Sequence, residues 1–171
     1  MNVDQMAKLK KISQQLRKSV IRELSEAGSG HSAGCLGFAD VMAVLYFHAM
    51  RLDPENPDWK DRDIFVMSNG HYAPLLYATL AERGFFDKKE LANLRKFGSK
   101  LQGHPERGSL PGIETTSGPL GCGLSQAAGM AYSLQYLGGN SERFVYCSLG
   151  DGELDEGNIW EAAMFAKKYN L

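Results

Sequence analysis

Apolar positions recur every three or four residues from Val3 to Ala27, at Met6, Leu9, Ile12, Leu16, Val20, Leu24 and Ala27. That stripe predicts one amphipathic helix. Gly28 to Gly37 interrupts it, and a second helix is predicted from Phe38 to about Met50, closed by Asp53-Pro54-Glu55-Asn56-Pro57. Ile64 to Met67 (IFVM) reads as a short buried strand leading into Asn69-Gly70-His71, and Leu75, Leu76, Ala78, Thr79 and Leu80 predict a helix ending before Gly84. Asp87 and Glu90 have capping-box spacing, with Asp in the cap role, for a helix through about Lys96. Gly98 to Gly118 reads as loop, with one brief extended piece at Ile113 to Thr115. Ser125 to Leu137 is a small-residue helix stopped by Gly138-Gly139. Arg143 to Leu149 (RFVYCSL) is short, apolar and rich in β-formers, and Ile159, Ala162, Ala163 and Ala166 then recur at helical spacing. Strands alternating with helices, without a hairpin signal, predict an α/β fold: a doubly wound parallel sheet with helices on both faces.

Composition narrows the class without identifying it. The 171 residues, 43% hydrophobic and 23% charged, suffice for one globular core and are expected to form one soluble domain. Nineteen Lys and Arg against twenty Asp and Glu leave a net charge of −1, so neither nucleic acid nor a membrane surface is an expected partner. The cluster Lys8, Lys10, Lys11, Arg17, Lys18 and Arg22 is the solvated face of a helix. Cys35, Cys122 and Cys147 are odd in number and lack metal-ligand spacing, which predicts unpaired thiols in a reducing compartment. The polar N-terminus is not a signal peptide, and the uncharged span Thr115 to Ser141 is too rich in Gly, Ser, Thr and Gln to cross a bilayer. A cytoplasmic protein is expected.

The chemistry concentrates in Ser148-Leu149-Gly150-Asp151-Gly152-Glu153, where an apolar strand gives way to a helix. Glycine lets backbone approach a ligand closely, and an open parallel sheet binds ligands beyond the carboxyl ends of its strands. Asp151, at that edge, would ligate a Mg2+ that also takes phosphate oxygens. Gly-Asp-Gly is equally a tight turn with an Asp capping the next helix. Three of the four histidines, His31, His71 and His104, each follow a glycine in a loop, where a side chain can project into a cleft, whereas His48 lies on a predicted helix face.

Five ordered blocks carry a family resemblance: Gly28-Ser29-Gly30-His31, Ser68-Asn69-Gly70-His71, Gly103-His104-Pro105-Glu106, Ser117-Gly118-Pro119-Leu120-Gly121-Cys122-Gly123-Leu124, and Gly150-Asp151-Gly152 continued as Glu156-Gly157-Asn158-Ile159-Trp160-Glu161. Together they resemble the thiamine diphosphate-binding domain of transketolases. The resemblance implies transfer of a two-carbon ketol unit between sugar phosphates, as in the pentose phosphate pathway, with thiamine diphosphate and Mg2+ or another divalent cation. It implies catalytic roles for His31, His71, His104 and Glu156: His31 and His104 on ketose hydroxyls, His71 beside the thiazolium and diphosphate, and Glu156 in an acidic network at a subunit interface. It also implies cofactor contacts from His71, Gly118, Pro119, Leu120, Gly150, Asp151 and Gly152, with Asp151 as the metal ligand. Each position has a plainer alternative, such as a helix-entry turn at Gly118 or first-turn electrostatics at Glu156. Other thiamine diphosphate enzymes, a 2-oxo acid dehydrogenase first component or deoxyxylulose phosphate synthase, remain open, as does a non-catalytic partner-binding remnant.

Residues 1–171 are expected to form the N-terminal part of the cofactor domain. In the resembling family the next strand supplies an Asn to the metal, and Asn170 cannot replace it: a helix of about twelve residues carries it roughly 18 Å away. The carboxylate that activates the aminopyrimidine belongs to a pyrimidine-binding domain without a counterpart here. Ser32-Ala33-Gly34-Cys35 after His31, in place of the Pro of many long transketolases, is closer to the two-gene forms. A C-terminal transketolase domain or subunit, in a homodimer or heterotetramer, is therefore an expected partner, and the chain alone is expected to be inactive.

Overall fold

The computed structural model describes residues 2–138 and 142–171. Helix α1 spans Val3–Ala27 as its periodicity predicts. Asn2 Oδ1 accepts from the Gln5 amide at 2.8 Å while Gln5 Oε1 accepts from the Asn2 amide at 3.0 Å, and the Gly28 amide closes the far end on the Leu24 carbonyl. Helix α2 covers Ala33–Val44 and runs on into a π turn at Leu45–Ala49, so it begins five residues earlier than Phe38. The cause is tertiary. Gly34 sits against the Tyr72 ring, which any Cβ there would strike, so this glycine serves helix packing and does not break the helix.

Strand β1 (Ile64–Met67) has the predicted bounds, a 3-10 turn at Gly70–Tyr72 follows, and α3 is Ala73–Arg83, stopped at Gly84. Asp87 does cap the next segment, accepting from the Lys89 amide at 2.9 Å, but Lys88–Asn93 is a 3-10 run and no α-helix reaches Lys96. Ile113 to Thr115 is not a strand; Ile113 is buried from a loop. Helix α4 is Gly123–Tyr136, its first turn formed by glycine and leucine ahead of the predicted start at Ser125. Gly139, part of the predicted stop, lies outside the described residues. Strand β2 is Val145–Ser148, shorter than the apolar run, and α5 is Gly157–Lys168 after a 3-10 turn at Gly152–Asp155.

Among the described residues the sheet is two-stranded, β1 parallel to β2, with Phe65 opposite Tyr146 and Met67 opposite Ser148. Phe65, Met67 and Tyr146 face the core built by α1, α2 and α3, around Leu16, Met42, Leu75, Tyr77 and Leu80. The opposite face is covered by α4, whose Gly123 abuts Ser68. The fold is thus α/β with helices on both faces of a parallel sheet. Asp63 fixes the strand register at its entrance: its carboxylate accepts from the amides of Arg51 and Phe144, each at 2.9 Å, and from the Arg51 guanidinium at 3.0 Å. All three cysteines are unpaired. Among the described residues no helix is long and apolar enough to cross a membrane.

Glu23 on α1 is 1% exposed, and neither carboxylate oxygen has a hydrogen-bond partner. Burial pushes its carboxyl up to about 9, and its charge in turn raises the nearby Cys35 thiol and Tyr77 phenol, both already shifted by burial. A carboxyl that keeps its proton in the fold and loses it near 4.5 when unfolded stabilises the fold below that pH, and the contribution falls as pH rises towards 9. Glu23→Gln is therefore expected to raise the melting temperature at about pH 8 and to match the parent near pH 5. Thermal unfolding across that range, with parallel curves for the two proteins, would disprove it.

Candidate active site

Both strands end at the same edge, and the loops leaving them build the site. After β1 come Ser68, buried Asn69 and Gly70, then His71 in the 3-10 turn. β2 ends at Ser148, and Gly150 and Asp151 follow. Ser148 Oγ donates to Asn69 Oδ1 at 2.6 Å, which joins the strand ends and orients the Asn69 amide. Two further loops close over this edge. Residues 117–122 approach so tightly that a Cβ on Gly70 would lie 2.7 Å from the Gly118 nitrogen and 2.9 Å from the Ser117 carbonyl carbon. Gly118, at φ 148°, and Gly121, at φ 90°, take backbone angles that side-chain-bearing residues rarely adopt.

The histidine loops are tied to one another by hydrogen bonds. Arg95 Nη1 donates to Ser29 Oγ at 3.1 Å, and its guanidinium packs beside Gly103, so one side chain links the loop of His31 to that of His104. Tyr77 on α3 donates to the Gln102 carbonyl at 2.9 Å, and the Ser117 amide donates to the Pro105 carbonyl at 3.1 Å. The outcome is convergence. The rings of His31 and His71 meet edge to face with centroids 5.3 Å apart, and the His104 ring stands 3.4 Å from where a Gly118 Cβ would be. His71 is half-buried, whereas His31 and His104 are exposed. Burial lowers the pKa of His71, and the neighbouring His31 and His104 lower it further against an opposing pull from Glu153. A neutral His71 offers one donor nitrogen and one acceptor nitrogen.

The remaining sequence-predicted residues surround this point. Pro119 and Leu120 are exposed on the loop after Gly118, and Leu120 is one of the large apolar side chains left uncovered. Gly152 is open to solvent with no atom near its absent Cβ. Asp151 is exposed, and its side chain caps no amide of the following turn. Among the described residues no three His, Cys, Asp or Glu side chains are grouped so as to hold a metal ion. Glu156 packs its stem against Gly121, where a Cβ would come within 2.9 Å, and its carboxylate caps no α5 amide.

A diphosphate cofactor with its cation suits what the edge presents. Asn69 Nδ2 and Ser117 Oγ are buried beside it with no hydrogen-bond partner, which is costly unless a ligand satisfies them. Gly150 and Gly152 leave backbone open to close approach, with nothing nearer than 3.8 Å to either absent Cβ, and Asp151 supplies a hard oxygen ligand of the kind Mg2+ takes.

Glu153, a residue outside the sequence-predicted set, is the hub of the site. This residue is 1% exposed. Its Oε1 accepts from the Gly121 amide at 2.8 Å and from Ser68 Oγ, its Oε2 accepts from the Gly150 amide at 3.0 Å, and Ser68 Oγ accepts from the Gly123 amide at 3.0 Å. The one signal in the sequence is its spacing: a carboxylate three residues after Gly150 can turn back onto that amide, as in a capping box.

Residues 8–171 match the family described as transketolase, thiamine diphosphate binding domain. Human transketolase is 48% identical over 163 residues, covering 95% of this chain and 26% of its own length. The 6-deoxy-6-sulfo-D-fructose transketolase subunit SqwG of Clostridium sp. (strain MSTE9) is 44% identical over 151 residues, covering 88% of this chain and 54% of its own length. Among solved structures, transketolase from Leishmania mexicana superposes with a TM-score of 0.88 at 36% identity, over 92% of this chain and 25% of that one. The chain thus spans about a quarter of the length of the human enzyme it matches.

Proposed function

This chain belongs to the family of transketolase thiamine diphosphate-binding domains, and from that premise we propose that it is the cofactor-holding part of a transketolase that moves a two-carbon ketol unit from a ketose phosphate to an aldose phosphate. One observation carries the reading: His31, His71 and His104, from three separate loops, converge at the carboxyl edge of β1 and β2 beside Gly118. Three convergent imidazoles suit handling of a polyhydroxylated sugar. They favour ketol transfer over the 2-oxo acid chemistry of other thiamine diphosphate enzymes.

When bound, thiamine diphosphate supplies the carbon nucleophile and the electron sink for cleaving and re-forming the ketose carbon–carbon bond. Asp151 would hold its Mg2+ or another divalent cation, with Gly150 and Gly152 allowing close backbone approach. Gly118, Pro119 and Leu120 would line the rings, and His71 would lie beside the thiazolium and diphosphate end. His31 and His104 are exposed at the site edge, where their imidazole nitrogens orient sugar hydroxyls. His71, held neutral by burial and its two neighbours, accepts at one nitrogen and donates at the other. Glu156, free of a capping role, is available to the acidic network of an interface.

A C-terminal transketolase domain or subunit is proposed as the partner that completes the site, in a homodimer or a heterotetramer. Alone, the 171 residues bring one proposed carboxylate ligand to the metal, so no turnover is expected of them by themselves. A cytoplasmic location fits the three unpaired cysteines.

The test is an assay of the assembled protein with thiamine diphosphate, Mg2+, xylulose 5-phosphate and ribose 5-phosphate. Ketol transfer is expected, and its absence from a cofactor-loaded protein refutes the reading. In the same assay His104→Ala should leave cofactor affinity nearly unchanged and lower kcat/KM for the ketose on the order of tenfold or more, since a hydroxyl contact acts on the donor and its transition state. Unaltered donor kinetics would return His104 to a structural role.

A further inference from the structure

Glu153 has no part in the roles assigned above, yet it is the most deeply buried carboxylate at the site edge. We propose that Glu153 is a positioning residue whose carboxylate sets the relative places of the three backbone segments that carry the cofactor contacts, a proposal that rests on the reading of this edge as a thiamine diphosphate site.

The segments are remote in sequence. Ser68 directly follows β1 and stands three residues before His71; Gly121 follows Gly118, Pro119 and Leu120; Gly150 immediately precedes Asp151. Among the described residues no backbone–backbone hydrogen bond joins the 117–122 loop to the end of β2. Glu153 does so with two oxygens: the Gly121 amide and Ser68 Oγ end on Oε1, and the Gly150 amide ends on Oε2. Ser68 relays the contact by accepting from the Gly123 amide, which reaches the first turn of α4. Burying a carboxylate is costly unless donors replace its water, and here three donors do. The donors are backbone amides and a strand-end hydroxyl, so the carboxylate orders main chain at the places where backbone is proposed to approach the cofactor. A mutually adjusted first loop and second turn is what pre-organised binding requires.

Substitution by Gln keeps the volume and one acceptor oxygen and places an NH2 group where an amide donor needs an acceptor. One of the Gly121 and Gly150 amides is then orphaned, or its loop moves. Ser68→Ala removes the relay alone.

The experiment is calorimetric titration of the assembled protein with thiamine diphosphate at saturating Mg2+. Glu153→Gln is expected to weaken binding on the order of tenfold or more, Ser68→Ala by less, and the double variant no further than Glu153→Gln, because both act through one clamp. Amide hydrogen exchange in the cofactor-free protein supplies a second readout: Gly121 and Gly150 should exchange faster in Glu153→Gln while the amides of α1 and α3 keep their protection. Parent-like affinity in a folded Glu153→Gln protein overturns the inference while leaving the cofactor site standing. So does a loss accompanied by a uniform rise in exchange, which marks general destabilisation. Failure of the parent itself to bind thiamine diphosphate overturns both this inference and the reading beneath it.

Discussion

Asp151→Ala is expected to fold like the parent and to lose Mg2+-dependent thiamine diphosphate binding by on the order of a hundredfold or more. Stability and binding separate here because the side chain has no structural task. It is exposed and caps no amide, and the turn it begins is held by a backbone bond from the Leu154 amide to the Asp151 carbonyl and by the Glu153 carboxylate, which accepts from the Gly150 amide. Exposed residues of this kind alter stability by about 0.5 kcal/mol or less. As a ligand, by contrast, Asp151 has no substitute: among the described residues no other His, Cys, Asp or Glu cluster is placed to take its cation. Titration at several Mg2+ concentrations is decisive. A folded Asp151→Ala protein with parent-like affinity and parent-like Mg2+ dependence would remove the metal from this edge.

The parts of the fold legible in the sequence are those whose local signals agree with their packing. Helix α1 was readable to the residue because a regular apolar stripe ends at a capping glycine, and β1 because four apolar residues sit between polar ones. The start of α2 was hidden, since Gly34 looks like a helix breaker until Tyr72 is placed against it. Over Lys88–Asn93 the sequence signals the cap correctly and the helix type wrongly, the cap being a local hydrogen bond and the continuation a matter of tertiary contacts. At the site, glycine-flanked histidines and the Gly-Asp-Gly turn were legible as loop chemistry, and the structure brings His31, His71 and His104 together. Glu153 was not. In Gly-Glu-Leu-Asp-Glu the hydropathy pattern points Leu154 inward and Glu153 outward, and the structure has the reverse, with Leu154 exposed and Glu153 buried. A buried carboxylate is specified by donors from distant segments, and no local pattern announces those.

Gly70→Ala is the stability prediction with the largest expected effect at the site. A methyl group there would stand 2.7 Å from the Gly118 nitrogen, 2.8 Å from Ser117 Oγ and 2.9 Å from the Ser117 carbonyl carbon. Two of the three obstacles are main chain, which cannot rotate aside, so the 117–122 loop must shift. Overpacking of this kind costs about 1–3 kcal/mol. The shift also pulls on the Pro105 carbonyl through the Ser117 amide and on Glu153 through the Gly121 amide, so the disturbance reaches both the His104 loop and the Gly-Asp-Gly turn. A lower melting temperature and weaker thiamine diphosphate binding should therefore appear together, the opposite of the separation expected for Asp151→Ala. Gly152→Ala is the stability control, because no atom lies near its absent Cβ and its φ is not positive; it should leave the melting temperature close to the parent. Equal melting temperatures for Gly70→Ala and Gly152→Ala would show that the loop yields without cost, and the close approach of Gly70 to Gly118 would then have no part in shaping the site.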